Sequence, residues 1–109
     1  SIRKLLYNDE SENGPSDASI SFDSKTGILS RKFASFVQKS MVSQTGFINR
    51  GIKRDRFFVL AYTVMPSILI ELGFLSNKNE AKKLVSSSFR NKLAKGIASG
   101  IIRYIKSSY

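Results

Sequence analysis

Histidine and cysteine are both missing from this chain of 109 residues. The thiolate and imidazole ligands of a metal site are therefore not supplied by this polypeptide. The lack of cysteine leaves the compartment open, since it suits cytosolic chains and disulfide-free exported ones alike. A long apolar run is missing too. Nothing approaches the roughly 20 residues that span a bilayer, because the apolar stretches are broken by Pro, Glu or Lys. Nor is there a Gly-rich phosphate loop, a nucleophile elbow or a zinc-finger spacing.

Acids become scarce after the first fifth of the chain. Asp9, Glu10, Glu12, Asp17 and Asp23 stand near the start, and only Asp55, Glu71 and Glu80 follow. The net charge of +10 therefore sits on the body of the protein. Such an excess favours an anionic partner: nucleic acid, an acidic cell-wall polymer or a membrane surface. A solvated basic face with no specific partner accounts for it equally well.

The chain has the length of one domain or part of one, with eight Phe and four Tyr for a core. Ile2 to Tyr7 reads as a short strand, and Asn8 to Gly27, rich in Ser, Asp, Asn and Gly, as a long loop or insertion. From Ile28 the spacing turns helical. Ile28, Leu29, Phe33, Phe36, Val37, Ser40 and Met41 form one stripe, with Arg31, Lys32, Gln38 and Lys39 on the other side. That helix ends between Ser43 and Gly46. After the turn Asn49-Arg50-Gly51 comes a basic segment, Lys53 to Arg56. Two apolar runs, Phe57 to Tyr62 and Ser67 to Leu72, read as strands covered on both faces. Asn77 with Glu80 has the spacing of a helix cap with a reciprocal acid, opening a short helix to Val85. Ser86 or Ser87 caps a last helix to about Ile105, with Phe89, Leu93, Ile97, Ile101 and Ile105 as its buried stripe, and Ala94, Gly100 and Tyr104 beside it. Gly96 and Gly100 weaken this helix, and they suit a backbone lying close to a sheet. The expected class is α/β: a partial, mostly parallel sheet flanked by helices, with more of the sheet outside this sequence.

Glu71 is the residue on which chemistry would turn. It is a lone acid in the apolar strand Ile68-Leu69-Ile70-Glu71, followed by Leu72-Gly73. A buried carboxylate is costly unless its charge is used. The carboxyl end of a central strand in an open α/β sheet is also where active sites gather. A structural ion pair, or simple exposure at the strand end, is the equally weighted alternative. Arg50, Lys53, Arg54 and Arg56 could bind phosphate or carboxylate groups, but a solvated loop explains them first.

Asn49-Arg50-Gly51-Ile52-Lys53, Phe58-Val59-Leu60 and Met65-Pro66-Ser67-Ile68-Leu69-Ile70-Glu71-Leu72-Gly73-Phe74-Leu75-Ser76-Asn77 together resemble a known pattern. It is that of the C-terminal half of the zinc-dependent N-acetylmuramoyl-L-alanine amidases, bacterial peptidoglycan hydrolases. The likeness extends through Leu84, Phe89, Leu93, Ala94, Ile97, Gly100, Ile101 and Tyr104, covering about Ser30 to Tyr104.

The resemblance implies a mostly parallel sheet flanked by helices and one zinc ion held by two histidines and a glutamate. It makes Glu71 the catalytic acid/base, and Arg50 and Asn49 substrate-binding residues. None of the three metal ligands has a counterpart here, so zinc belongs to the intact enzyme and no metal is expected of this chain alone. On this reading residues 1–27 are a short strand plus a polar insertion, and 28–109 are the C-terminal portion of the catalytic domain. The implied partner is peptidoglycan rather than nucleic acid, and the implied location is the cell envelope, periplasmic or secreted. A partial sheet would also associate with a second copy or with the missing N-terminal half. The competing expectations are a basic module for nucleic acid or anionic wall polymer, and a degenerate amidase domain without catalysis.

Overall fold

The computed structural model describes residues 4–8, 25–47, 49–55 and 65–108. Its two longest elements are the helices α1 (Lys25–Thr45) and α3 (Ser87–Ser108). They pack directly on each other, and this contact is the most extensive between any two elements.

Small residues set how close the two helices come. Gly96 and Gly100 are four apart and therefore share one face of α3. A Cβ on Gly96 would lie 2.8 Å from the Met41 Cα, and one on Gly100 only 2.5 Å from the Val37 Cα. Backbone meets backbone there. Ala34, Val37, Met41 and Leu93 form the buried centre of the contact. Tyr104 closes one end, stacked on Phe33 at 4.8 Å between centroids and edge-on to Phe36 at 6.3 Å. Phe47 and Phe89 close the other, edge to face at 5.0 Å.

Three short strands form a mixed sheet in the order β2-β1-β3: β1 (Lys4–Asn8), β2 (Ile52–Asp55) and β3 (Ile68–Glu71). β1 pairs with β2 in parallel, with Leu5 opposite Ile52. It pairs with β3 antiparallel, with Lys4 opposite Glu71 and Leu5 opposite Ile70. Ile52, Ile68 and Ile70 pack against the α1–α3 core. A short helix, α2 (Lys78–Val85), joins β3 to α3. The described part is thus layered as sheet, α1, α3.

Several expectations are corrected. Half of the described pairing is antiparallel, so this sheet is mixed rather than mostly parallel, and β1 rather than β3 is its central strand. Among the described residues the helices lie on one face of the sheet, not both. The basic segment after Gly51 is a strand for most of its length, because Ile52 anchors it to the core. Helix α1 begins at Lys25, inside the expected insertion. Gln38, expected on the polar side, is buried, whereas Ile28 is exposed. In α3 the glycine stripe faces the partner helix, which rotates Ile105 and Ala94 outward. The expected close approach is real, but its target is a helix and not a sheet. The cap residues of α2 and α3 hold as expected: Asn77 Oδ1 accepts from the Asn79 and Glu80 amides, and Ser86 Oγ from the Phe89 amide. The expected strand Phe57 to Tyr62 lies outside the described residues, as does most of the expected insertion.

The glycine contact makes a direct prediction. Alanine is the better helix former by about 1 kcal/mol, yet Gly100→Ala should lower stability by about 1–3 kcal/mol through overpacking against Val37. Urea denaturation followed by circular dichroism measures it. A midpoint equal to or above that of the parent would show that the helices have room to spare.

Candidate active site

The site is built from α1 outward. Ser30, buried in α1, accepts a hydrogen bond at its Oγ from the Ser67 amide at 3.0 Å, immediately before β3 begins. That tie fixes where β3 starts. Alternation along the strand then decides where its side chains go. Ile68 and Ile70 face α1 and the core, so Leu69 and Glu71 point to the opposite face. Glu71 is half-buried and is the last residue of its strand. Among the described residues no helix covers its face, and its cross-strand register partner is Lys4.

Strand direction brings a second feature to the same end of the sheet. β2 runs parallel to β1 and starts opposite Leu5; β3 runs antiparallel and ends opposite Lys4. The turn Asn49-Arg50-Gly51, just before β2, and the carboxylate of Glu71, at the end of β3, thus both open where β1 begins. Only β1 separates β2 from β3, so the two strands lie about 10 Å apart, twice the interstrand spacing. The expected rule of carboxyl-terminal sheet edges does not describe this place. It is the carboxyl end of β3 but the amino end of β1 and β2.

Asn49 and Arg50 have different surroundings. Asn49 Oδ1 accepts from Gln38 Nε2 at 3.1 Å and from the Gly51 amide at 2.8 Å. It holds the turn in shape and ties it to α1. Arg50 is exposed, with its guanidinium presented to solvent at the strand start. Gln38 is 2% exposed and its Oε1 is buried without a hydrogen-bond partner. Periodicity alone had assigned it to the polar side, so its contact with Asn49 was not foreseen.

The segment after Glu71 is tightly tied. Gly73 has φ +149°, a conformation that L side chains rarely adopt. The Phe74 amide donates to Glu80 Oε2 at 2.6 Å, and the Phe74 carbonyl accepts from the Asn77 amide at 3.1 Å. Glu80 is 4% exposed. Sequence spacing located this acid in the first turn of α2 but assigned it the cap's own amide; its carboxylate instead reaches back across the loop to Phe74. Apolar surface flanks the site: Leu72, Phe74 and Leu75 are exposed. An apolar cleft of about 370 Å³ lies among Leu75, Ala81 and Val85, edged by Lys78 and Lys82.

Zinc was the metal implied by the resemblance, and the donor set of this chain does not fit it. There is no histidine or cysteine, and among the described residues no three acidic side chains gather as ligands.

Residues 7–103 match the family Amidase_3, N-acetylmuramoyl-L-alanine amidase. The chain is 42% identical over 80 residues to the N-acetylmuramoyl-L-alanine amidase AmiC of Neisseria meningitidis, covering 72% of this chain and 19% of that protein. It is 32% identical over 77 residues to the N-acetylmuramoyl-L-alanine amidase LytC of Bacillus subtilis, covering 71% and 16%. The crystal structure of an N-acetylmuramoyl-L-alanine amidase from Clostridium difficile superposes with a TM-score of 0.74 at 29% identity. That match takes in all of this chain and 52% of the solved one, so the chain spans about half of that structure and less of these curated relatives. With a match over nearly its whole length, the chain belongs to the N-acetylmuramoyl-L-alanine amidase family.

Proposed function

We propose that this chain is the C-terminal part of an amidase catalytic domain that hydrolyses the amide between N-acetylmuramic acid and L-alanine in peptidoglycan, with Glu71 as its general acid/base. The observation that carries this reading is the placement of Glu71. It is a strand-end carboxylate on a face of the sheet that no described helix covers, in a chain of this family.

The chemistry asked of it is proton transfer. Glu71 accepts a proton from the attacking water as the oxygen–carbon bond forms at the scissile carbonyl. It then returns that proton to the leaving alanine nitrogen as the carbon–nitrogen bond breaks. Arg50, exposed at the same end of the sheet, would meet a carboxylate of the peptide stem. Asn49 contributes by holding the turn that presents it. The residues that would hold zinc are assigned to a part of the domain outside this chain, and no step is routed through the metal here.

The same reading names the partners. Peptidoglycan lies in the cell envelope, so the protein acts there, periplasmic or secreted. No described helix is long and apolar enough to cross a membrane. Among the described residues the outer face of β3 is uncovered, and exposed Leu72, Phe74 and Leu75 extend beyond it; the complementary part of the domain would pack beside this surface.

Two measurements test this reading. Glu71→Gln in the full-length enzyme keeps shape and removes the base; turnover should fall by about 10²–10⁴-fold with bound metal unchanged. Peptidoglycan dye release reads the first quantity and metal analysis the second, and parent-like rates would remove Glu71 from the mechanism. The 109-residue chain alone, with zinc supplied, should neither hold the metal stoichiometrically nor release soluble product. Amide cleavage by that chain would overturn the assignment of the ligands to another part of the domain.

A further inference from the structure

We infer that Glu80 is a positioning residue for Glu71, an assignment that rests on the acid/base reading above. Few residues separate Glu71 from the loop that Glu80 holds. β3 is hydrogen-bonded to β1 up to Glu71, opposite Lys4, so the strand fixes the backbone on one side of the carboxylate. On the other side only Leu72 and Gly73 intervene before Phe74. Both backbone polar groups of Phe74 are then committed: its amide to Glu80 Oε2 at 2.6 Å and its carbonyl to the Asn77 amide at 3.1 Å. Glu71 therefore sits between two anchors three residues apart, and Glu80 makes one of them.

The surroundings of Glu80 are those of a built contact. Its side chain is 4% exposed, and its Cβ and Oε2 lie 3.5 Å from where a Gly73 Cβ would stand. The carboxylate is thus laid along residues 73 and 74 rather than turned to solvent. Glu80 itself is held by the helix start, where its amide donates to Asn77 Oδ1 at 3.2 Å. A charged acceptor bonded to a backbone amide in a desolvated place makes a strong and directional tether. Helix α2 consequently does more than connect β3 to α3: through one carboxylate it sets the exit path of the strand that carries the acid/base. Proton transfer demands placement of the carboxylate within hydrogen-bonding reach of the water, so a loosened exit should be read in turnover rather than in binding.

Glutamine at position 80 keeps the reach and an acceptor oxygen but loses the charge. Aspartate keeps the charge and a favourable acid in the first helical turn but loses the reach. In the full-length enzyme, Glu80→Asp should lower kcat by about 10- to 100-fold with KM within about twofold. Glu80→Gln should stay within about threefold of the parent, since the amide oxygen still accepts from Phe74. In the isolated chain, hydrogen exchange at the Phe74 amide should quicken in Glu80→Asp and stay slow in Glu80→Gln. A helix-capping role alone predicts the reverse order. Full turnover in Glu80→Asp, loss in Glu80→Gln as deep as in Glu80→Asp, or a change confined to KM would each overturn the proposal. If Glu80→Asp does not fold, Glu80→Gln decides: slow Phe74 exchange with near-parent kcat supports the tether, and anything less rejects it. The two readings fail separately. An active Glu71→Gln enzyme removes the acid/base assignment itself, whereas an inactive one beside a fully active Glu80→Asp enzyme removes only the role of Glu80.

Discussion

Everything in the described structure is hung from the approach of two helix backbones at Gly96 and Gly100. Neither position tolerates a Cβ without displacing Met41 or Val37. Glycine in a helix interior costs about 1 kcal/mol relative to alanine, so two of them in α3 are a local weakness. The close packing they permit offsets it: Ala34, Val37, Met41 and Leu93 become fully enclosed, with the dispersion contacts that enclosure brings. That contact fixes α1, and α1 in turn carries the sheet on Ile52, Ile68 and Ile70. A site composed of one strand end and one turn has little rigidity of its own. It borrows rigidity from the helix pair, through Ser30 and Gln38 of α1.

Transmission from that core to the candidate site passes through a few named bonds. Ser30 to the Ser67 amide sets the start of β3, Gln38 to Asn49 sets the turn before β2, and Glu80 to the Phe74 amide sets the exit from β3. Each joins a buried polar side chain to a loop, which is how a loop is held without packing it. The unpaired Oε1 of Gln38 shows what this arrangement concedes. A buried acceptor without a donor is costly, and the same side chain supplies the donor that orients Asn49. The bond to Asn49 gives this buried position, which the spacing had put on the polar side, a physical reason to carry a glutamine.

How much of this could be read from the residues depends on the range of the interaction. The helices, their caps at Asn77 and Ser86, and the strands around Leu5 and Ile70 follow from local spacing, and they were legible. Strand direction was not. Nothing in Ser67 to Glu71 says which way its neighbour runs, and so the mixed sheet and the position of β3 outside β1 were missed. The stripe of α3 was legible through Phe89, Leu93, Ile97 and Ile101, which lie in or against the core, but not at its end. Ile105 is exposed, because the face toward α1 is centred on the two glycines and Tyr104. Glu71 was legible as an acid out of place in an apolar strand. Glu80 was visible only as part of a cap, because its partner lies six residues back across a loop whose shape the spacing does not specify.

The uncovered face of β3 sharpens the relation between this chain and the amidase domain. Leu69 and Glu71 share that face, and Leu72, Phe74 and Leu75 continue the exposed apolar surface beyond the strand end. Glu71 is half-buried there. The same carboxylate beneath a second layer of protein is partly desolvated, and its interactions strengthen accordingly. A layer of that kind would act on the proposed acid/base through its surroundings, apart from any metal it held. Such a layer would have to leave room beside Glu71 for the attacking water and the scissile amide, with the turn at Arg50 open to substrate. On this reading the described elements would supply the oriented proton carrier, and a covering layer the environment in which orientation counts.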